Sequence, residues 1–205
     1  GGTDIKVPVH GRTAFCDDGD FSKPGNGGNI PAGEVFISPL TPKTSAGCEG
    51  RIVFDGSISV TEGCFIITDP IIADVKGYVS SITSKADRPV DGSDPDCEAY
   101  RLLRCITAAE NQALQMEKEG RLPAGAGAEY ARNARNIGEL GIGLNPAALI
   151  TGKMLEDEKA FKTCHFAIGS NYDNDARSLI HFDGVVRNPT IVIHYEDGSE
   201  FTVEK

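Results

Sequence analysis

The sequence predicts an α+β fold, a mainly antiparallel or mixed β-sheet domain with a helical excursion between two β-rich parts. Three observations carry that expectation. Short alternating apolar runs separated by turn residues fill the chain up to about residue 84. A single long segment then repeats apolar residues at three- and four-residue steps. After about residue 163 the alternating pattern returns, and two β parts flanking a helical pair are most simply joined in one sheet.

The elements follow in order. Thr3 to Val9 alternates, with Ile5, Val7 and Val9 on one side, and His10-Gly11 turns the chain into Arg12 to Phe15. Residues 16–30 form a polar, glycine-rich loop, long enough to be mobile or functional. Strands are then expected at Glu34–Ile37, Gly50–Phe54, Ser57–Val60, Cys64–Ile67, Ile71–Val75 and Tyr78–Thr83, with Asp55-Gly56 and Lys76-Gly77 as turns. Asp94-Pro95 reads as a cap and first-turn proline opening a helix. That helix presents Leu102, Leu103, Ile106, Ala109, Ala113 and Met116 on one face and stops at Gly120. A shorter helix carries Tyr130, Ala134 and Ile137, and a helical stretch covers Leu155–Phe161. Strands at Cys164–Ile168 and Thr190–Tyr195 follow, and Asp197-Gly198 turns into Glu200–Val203.

Bulk properties narrow the function. With 205 residues, 40% of them hydrophobic, the chain can bury a core as one large or two modest domains. A net charge of −10 leaves no basic stripe for a nucleic-acid backbone, so no nucleic-acid partner is expected. Apolar runs are strand-length only, which argues against a membrane partner, and no signal pattern opens the chain. The six cysteines are scattered without a Cys-x-x-Cys pair, which points to packing residues and a reducing, cytoplasmic setting.

The chemistry concentrates near the C-terminal end. His165 closes an apolar run, and His181-Phe182-Asp183 is a His-x-Asp triplet whose two polar side chains share a face if the segment is a strand. Neutral imidazole and carboxylate are standard ligands for zinc, cobalt or iron. Two glutamates sit in unusual settings: Glu34 enters an apolar strand directly after glycine, and Glu139 stands alone in Ile137-Gly138-Glu139-Leu140-Gly141. A carboxylate in such surroundings must be paired, bound to a metal or protonated, because burying a bare charge costs on the order of several kcal/mol. Each residue has an ordinary explanation when taken singly: a structural histidine, a solvated Glu34, a Glu139 paired with Arg132 or Arg135, a turn at Asp183-Gly184. One shared site accounts for all of them, and Glu34, Glu139, His165, His181 and Asp183 would suffice for two dications bridged by a carboxylate.

These segments also resemble the M29 family of metallo-aminopeptidases, the aminopeptidase T and aminopeptidase S group. The resemblance runs through Asn29 to Phe36, Ile137 to Leu140, Leu155 to Gly169 and Ile180 to Asp183. It implies a single metal-binding catalytic domain over residues 1–205, with a helical insertion at about 85–136 and without the family's further N-terminal domain. It implies a hydrolase releasing N-terminal residues from peptides at a dinuclear zinc or cobalt site. The metal would be held by Glu34, Glu139, His165, His181 and Asp183, with Glu34 or Glu139 as general base and Tyr172 hydrogen-bonding the substrate or tetrahedral intermediate. A homodimer would be in keeping with the family. Two other expectations share the fold. Two histidines and an aspartate form the facial triad of non-haem iron oxygenases, so a mononuclear ferrous ring-cleaving dioxygenase is one alternative. The other is a non-catalytic metal-binding or assembly module.

Overall fold

Alternation sorts the side chains of the main sheet into two faces, one apolar and one polar. The computed structural model describes residues 1–203. In chain order its elements are β1 (Asp4–Lys6), β2 (Phe15–Asp17), β3 (Glu34–Ile37), β4 (Cys48–Phe54), β5 (Ser57–Val60), β6 (Gly63–Ile66) and β7 (Ile71–Ser84). There follow α1 (Glu98–Lys118), α2 (Ala126–Asn133), β8 (Ile137–Gly143), α3 (Met154–Asp157), β9 (Thr163–Gly169), β10 (His181–Arg187), β11 (Ile191–His194) and β12 (Glu200–Val203). The fold is α+β and its sheets are antiparallel. Seven strands in the order β2-β3-β8-β9-β10-β5-β6 form the main sheet, β1-β4-β7 a second one, and β11-β12 a separate hairpin. The early and late β parts therefore do share a sheet.

One hydrophobic core joins the layers. Cys164, Phe166 and Ile168 of β9 and Phe182 and Val186 of β10 point into it, together with Ile52 and Phe54 of β4, Ile71, Ala73, Val75 and Val79 of β7, and Leu102 and Ile106 of α1. The intervening residues of β9 and β10 must then face the other way. They include His165, Ala167, His181 and Asp183, and their face of the sheet carries the polar cluster described below.

Several elements depart from the sequence expectation for identifiable reasons. Lys76-Gly77 makes no turn. β7 runs unbroken through it, because Gly77 takes φ +73° while staying paired with Cys48, and burial continues on the same side at Val79. Asp55-Gly56 links two different sheets and forms no hairpin. The amides of both residues donate to Val185 O, so the crossing is anchored on β10. The first long helix starts at Glu98, after Cys97, and not at Pro95. Asp94 lies three residues before the cap position, Cys97, and its carboxylate accepts from Arg88 Nε at 2.7 Å and from Asp96 N at 3.2 Å. Ile137 belongs to β8 and not to the second helix, which ends at Asn133. The helix expected over Leu155–Phe161 is the single turn α3. Asp157 accepts hydrogen bonds from the amides of Thr151 and Gly152, and the chain then leaves the helix to bury Glu158 and Lys159.

Helix α1 is tied to the sheet at its first residue. The buried Glu98 carboxylate accepts bonds from Thr68 N, Thr68 Oγ1 at 2.9 Å and Asp69 N at 2.8 Å. Truncating it leaves three donors without a partner, so Glu98→Ala is expected to destabilise the fold by about 1–3 kcal/mol. Urea denaturation measures this, and an unchanged midpoint would remove Glu98 as the anchor. All six cysteines are free thiols. No helix among the described residues is long and apolar enough to cross a membrane.

Candidate metal centre

Register brings the expected residues together. Across the main sheet, Phe36 pairs with Gly141 and Gly141 with His165, while Glu139 pairs with Ala167 and Ala167 with Asp183. His181 pairs with Gly169 one step further along β10. Glu34, two residues before Phe36 on β3, shares their face. Because Gly141, Gly143, Ala167 and Gly169 lie between the polar residues, the longer side chains can fold over the sheet toward one another. The His165 ring lies directly over Gly141, where a Cβ would overlap its Cε1 and Nε2.

The distances define one continuous cluster. His165 Nε2 is 3.1 Å from Glu139 Oε1 and 3.5 Å from Glu34 Oε2. His181 Nε2 is 3.2 Å from Asp183 Oδ1 and 3.8 Å from Glu139 Oε2. His181 Nδ1 lies 2.8 Å from Ser170 O, a carbonyl that can only accept, so Nδ1 carries the proton and Nε2 is left to face the carboxylates. His165 is fully buried, whereas the His181 side chain is 35% exposed, so the cluster meets solvent on the His181 side. The alternative pairing of Glu139 with an arginine is not found: Arg135 pairs with Glu110 at 2.5 Å.

Two residues that the sequence reading passed over complete the cluster. Glu158 and Lys159 follow α3, both buried, and their segment lies over Gly143, where an added Cβ would come within 2.9 Å of Glu158 O. Lys159 Nζ is 2.8 Å from Glu34 Oε1 and also pairs with Glu158. Glu158 and Lys159 end an acidic run that reads as the solvated start of a helix, and only packing against the glycine-floored strand reveals them as buried. Tyr172 stands apart in character. It is 57% exposed, with its ring 4.5 Å from that of Phe15 and 5.6 Å from that of Phe36.

The donor set suits a divalent cation. Three overlapping groups each bring their ligand atoms within 4.8 Å of one another: Glu34, Glu139 and His165; Glu139, His181 and Asp183; Glu158, His165 and Asp183. Glu34 Oε2, His165 Nδ1 and Asp183 Oδ1 are buried without a hydrogen-bond partner. Orphaned polar atoms of this kind, converging from three strands, call for a ligand.

Electrostatics sharpen the point. Burial disfavours a charged His165, yet the Glu139 hydrogen bond and the charge of Asp183 outweigh it and lift its pKa to about 9. His181 is likewise opposed by burial and raised to about 9 by Asp183 and Glu139. Burial, reinforced by Asp183, pushes Glu158 up to about 7, while His181 beside it holds the buried Asp183 below the usual carboxylate range. In chelator-treated protein both imidazoles thus gain a proton on folding. Each contributes stability fully present below its unfolded value of 6.5 and lost as pH rises through about 9. Glu158 acts in the same direction, its contribution fading between 4.5 and about 7. The urea midpoint of the metal-free protein should therefore fall steadily from pH 6.5 to 9, and metal addition at neutral pH should release protons. A flat midpoint over that window would contradict the protonated imidazoles.

No family model matches the sequence, and no curated protein sequence matches it. The fold resembles the solved structure of 2,5-dihydroxypyridine dioxygenase from Pseudomonas putida KT2440, with a TM-score of 0.63 and 20% sequence identity. The alignment covers 90% of this chain and 47% of that one, so the chain spans about half the length of that enzyme. The likeness defines a shared fold. It also corrects the activity expected from the sequence: a solved structure that it resembles is an oxygenase, so the hydrolase, aminopeptidase and protease assignments do not stand. One oxygen of Glu34, a member of the expected two-metal set, is already engaged by the Lys159 ammonium.

Proposed function

We propose that the chain is the metal-binding part of a mononuclear non-haem ferrous dioxygenase that opens a dihydroxylated aromatic ring such as a dihydroxypyridine. The observation that carries this reading is that Asp183 belongs to two candidate ligand groups on one sheet face, one with His181 and one with His165, within a fold resembling a pyridine-ring dioxygenase. Ring opening by dioxygen needs a redox-active ion, and Fe(II) is the ion whose characteristic protein ligands are two histidines and one carboxylate with open positions.

In this reading His165, His181 and Asp183 hold the ion. Glu139 faces Nε2 of both imidazoles and would stand beside them toward the ion, while Ser170 O, bonded to Nδ1, fixes the tautomer of His181. The partial exposure of His181 leaves an approach for the substrate, and the buried side formed by His165, Glu34 and Glu158 keeps water out. Tyr172, exposed and packed on Phe15 and Phe36, would meet a planar ring rather than the ion.

The test is direct. Protein loaded anaerobically with Fe(II) and mixed with 2,5-dihydroxypyridine in aerated buffer should consume about one dioxygen per ring lost from the ultraviolet spectrum. Bound iron with no oxygen uptake across dihydroxylated pyridines and benzenes would sink the proposal. Tyr172→Phe should keep its iron and turn over more slowly, and wild-type turnover would remove the hydroxyl from the mechanism.

A further inference from the structure

Lys159 is an unusual residue to find at a cation site. Its side chain is completely buried, and its ammonium contacts Glu34 Oε1 at 2.8 Å and Glu158 Oε1. Its backbone is fastened as well, since Lys159 O accepts from Asn145 N at 2.9 Å. The ammonium is therefore a fixed positive charge inside the cluster, with no path to solvent. The three candidate donor groups differ in their relation to it. Glu34 and Glu158 each belong to one group, and each gives an oxygen to Lys159; the group of Glu139, His181 and Asp183 makes no such pair.

Four carboxylates and two imidazoles are more ligands than one dication needs, and a second dication is the usual way to balance such a set. Here the balancing charge is already built into the chain. An ammonium is a compact point charge with three donors and no acceptor, so the oxygens it holds, Glu34 Oε1 and Glu158 Oε1, are closed to a second dication, and its charge opposes one at the neighbouring oxygens. We propose that Lys159 stands in for a second metal ion: by taking up Glu34 and Glu158 it restricts the centre to one divalent cation, held by the His165, His181 and Asp183 side. This rests on the reading above that the cluster binds a metal. It adds the device that makes the centre mononuclear, and it makes Lys159 a positioning residue and not a catalytic one.

Metal stoichiometry provides the test, independently of turnover. Purified protein, stripped with a chelator, is titrated with Co(II) and separately with Zn(II), and bound metal is counted after desalting. The wild type should take up one equivalent. Lys159→Met, which removes the charge but keeps an unbranched apolar chain, should take up two, and its Co(II) form should show the weakened paramagnetic signal of a coupled pair. Two equivalents in the wild type, or one in folded Lys159→Met, overturns the inference while leaving the metal reading intact. No metal in the wild type overturns both. Should Lys159→Met fail to fold by circular dichroism, Glu158→Gln decides. One equivalent at an affinity within threefold of wild type supports the role of Lys159. A loss beyond tenfold would make Glu158 a ligand of the ion and end the proposal.

Discussion

Asp183→Asn and His181→Ala are each expected to lower metal affinity by at least about 100-fold, more than the 10–100-fold typical of residues that merely support a ligand. Asp183 supplies a buried oxygen, Oδ1, that has no hydrogen-bond partner and lies 3.2 Å from His181 Nε2. Asparagine keeps the shape but replaces the charge, so the fold should survive while the electrostatic attraction for a dication is lost. The Asp183 amide bond to Ser59 Oγ, at 2.8 Å, is untouched by the change and should hold β10 in place against β5. His181→Ala removes the only imidazole of the cluster that reaches solvent, and with it the Nε2 donor fixed by Ser170 O. Isothermal titration with Zn(II), alongside circular dichroism, separates lost binding from lost structure. Wild-type affinity in either variant would place the ion elsewhere.

Gly141→Ala is expected to damage both stability and metal binding, although residue 141 has no functional group. A Cβ there would occupy the space of the His165 ring and would lie 2.8 Å even from its Nδ1. The ring cannot simply swing aside, because it is fully buried and its Nε2 is engaged by Glu139. The added methyl must shift β8 or push His165 off its rotamer, an overpacking cost of about 1–3 kcal/mol. Urea unfolding reports the first effect and metal titration the second. A variant with unchanged midpoint and unchanged affinity would show that the ring does not depend on the bare strand beneath it.

The site was legible in the sequence to an uneven degree. His-x-Asp could be read because a two-residue step on a strand guarantees a common face, and β10 places His181 and Asp183 in that way. Glu34 and Glu139 were legible as carboxylates out of place among apolar residues, and both lie at the cluster. Lys159 and Glu158 were not, since nothing in Leu155-Glu156-Asp157-Glu158-Lys159 distinguishes a buried pair from a solvated helix start. The activity expected from the sequence was corrected by the likeness of the fold to a dioxygenase, because a count of ligands along the chain does not distinguish one chemistry from another.

The fold divides along the same line. Strand and helix segments follow from local periodicity, and Glu34–Ile37, Ser57–Val60 and Glu200–Val203 emerge with the bounds expected. Pairing partners do not follow, because alternation says which side chains share a face but not which strand lies alongside. The sequence by itself determined an α+β chain carrying a set of metal-ligand side chains on alternating strands. Only the tertiary structure decided that β3, β8, β9 and β10 lie side by side with small residues between their polar ones, and that a lysine closes over them. The reason is that register and the burial of charge are long-range properties, set by contacts between residues more than 100 positions apart, such as Glu34 and Lys159.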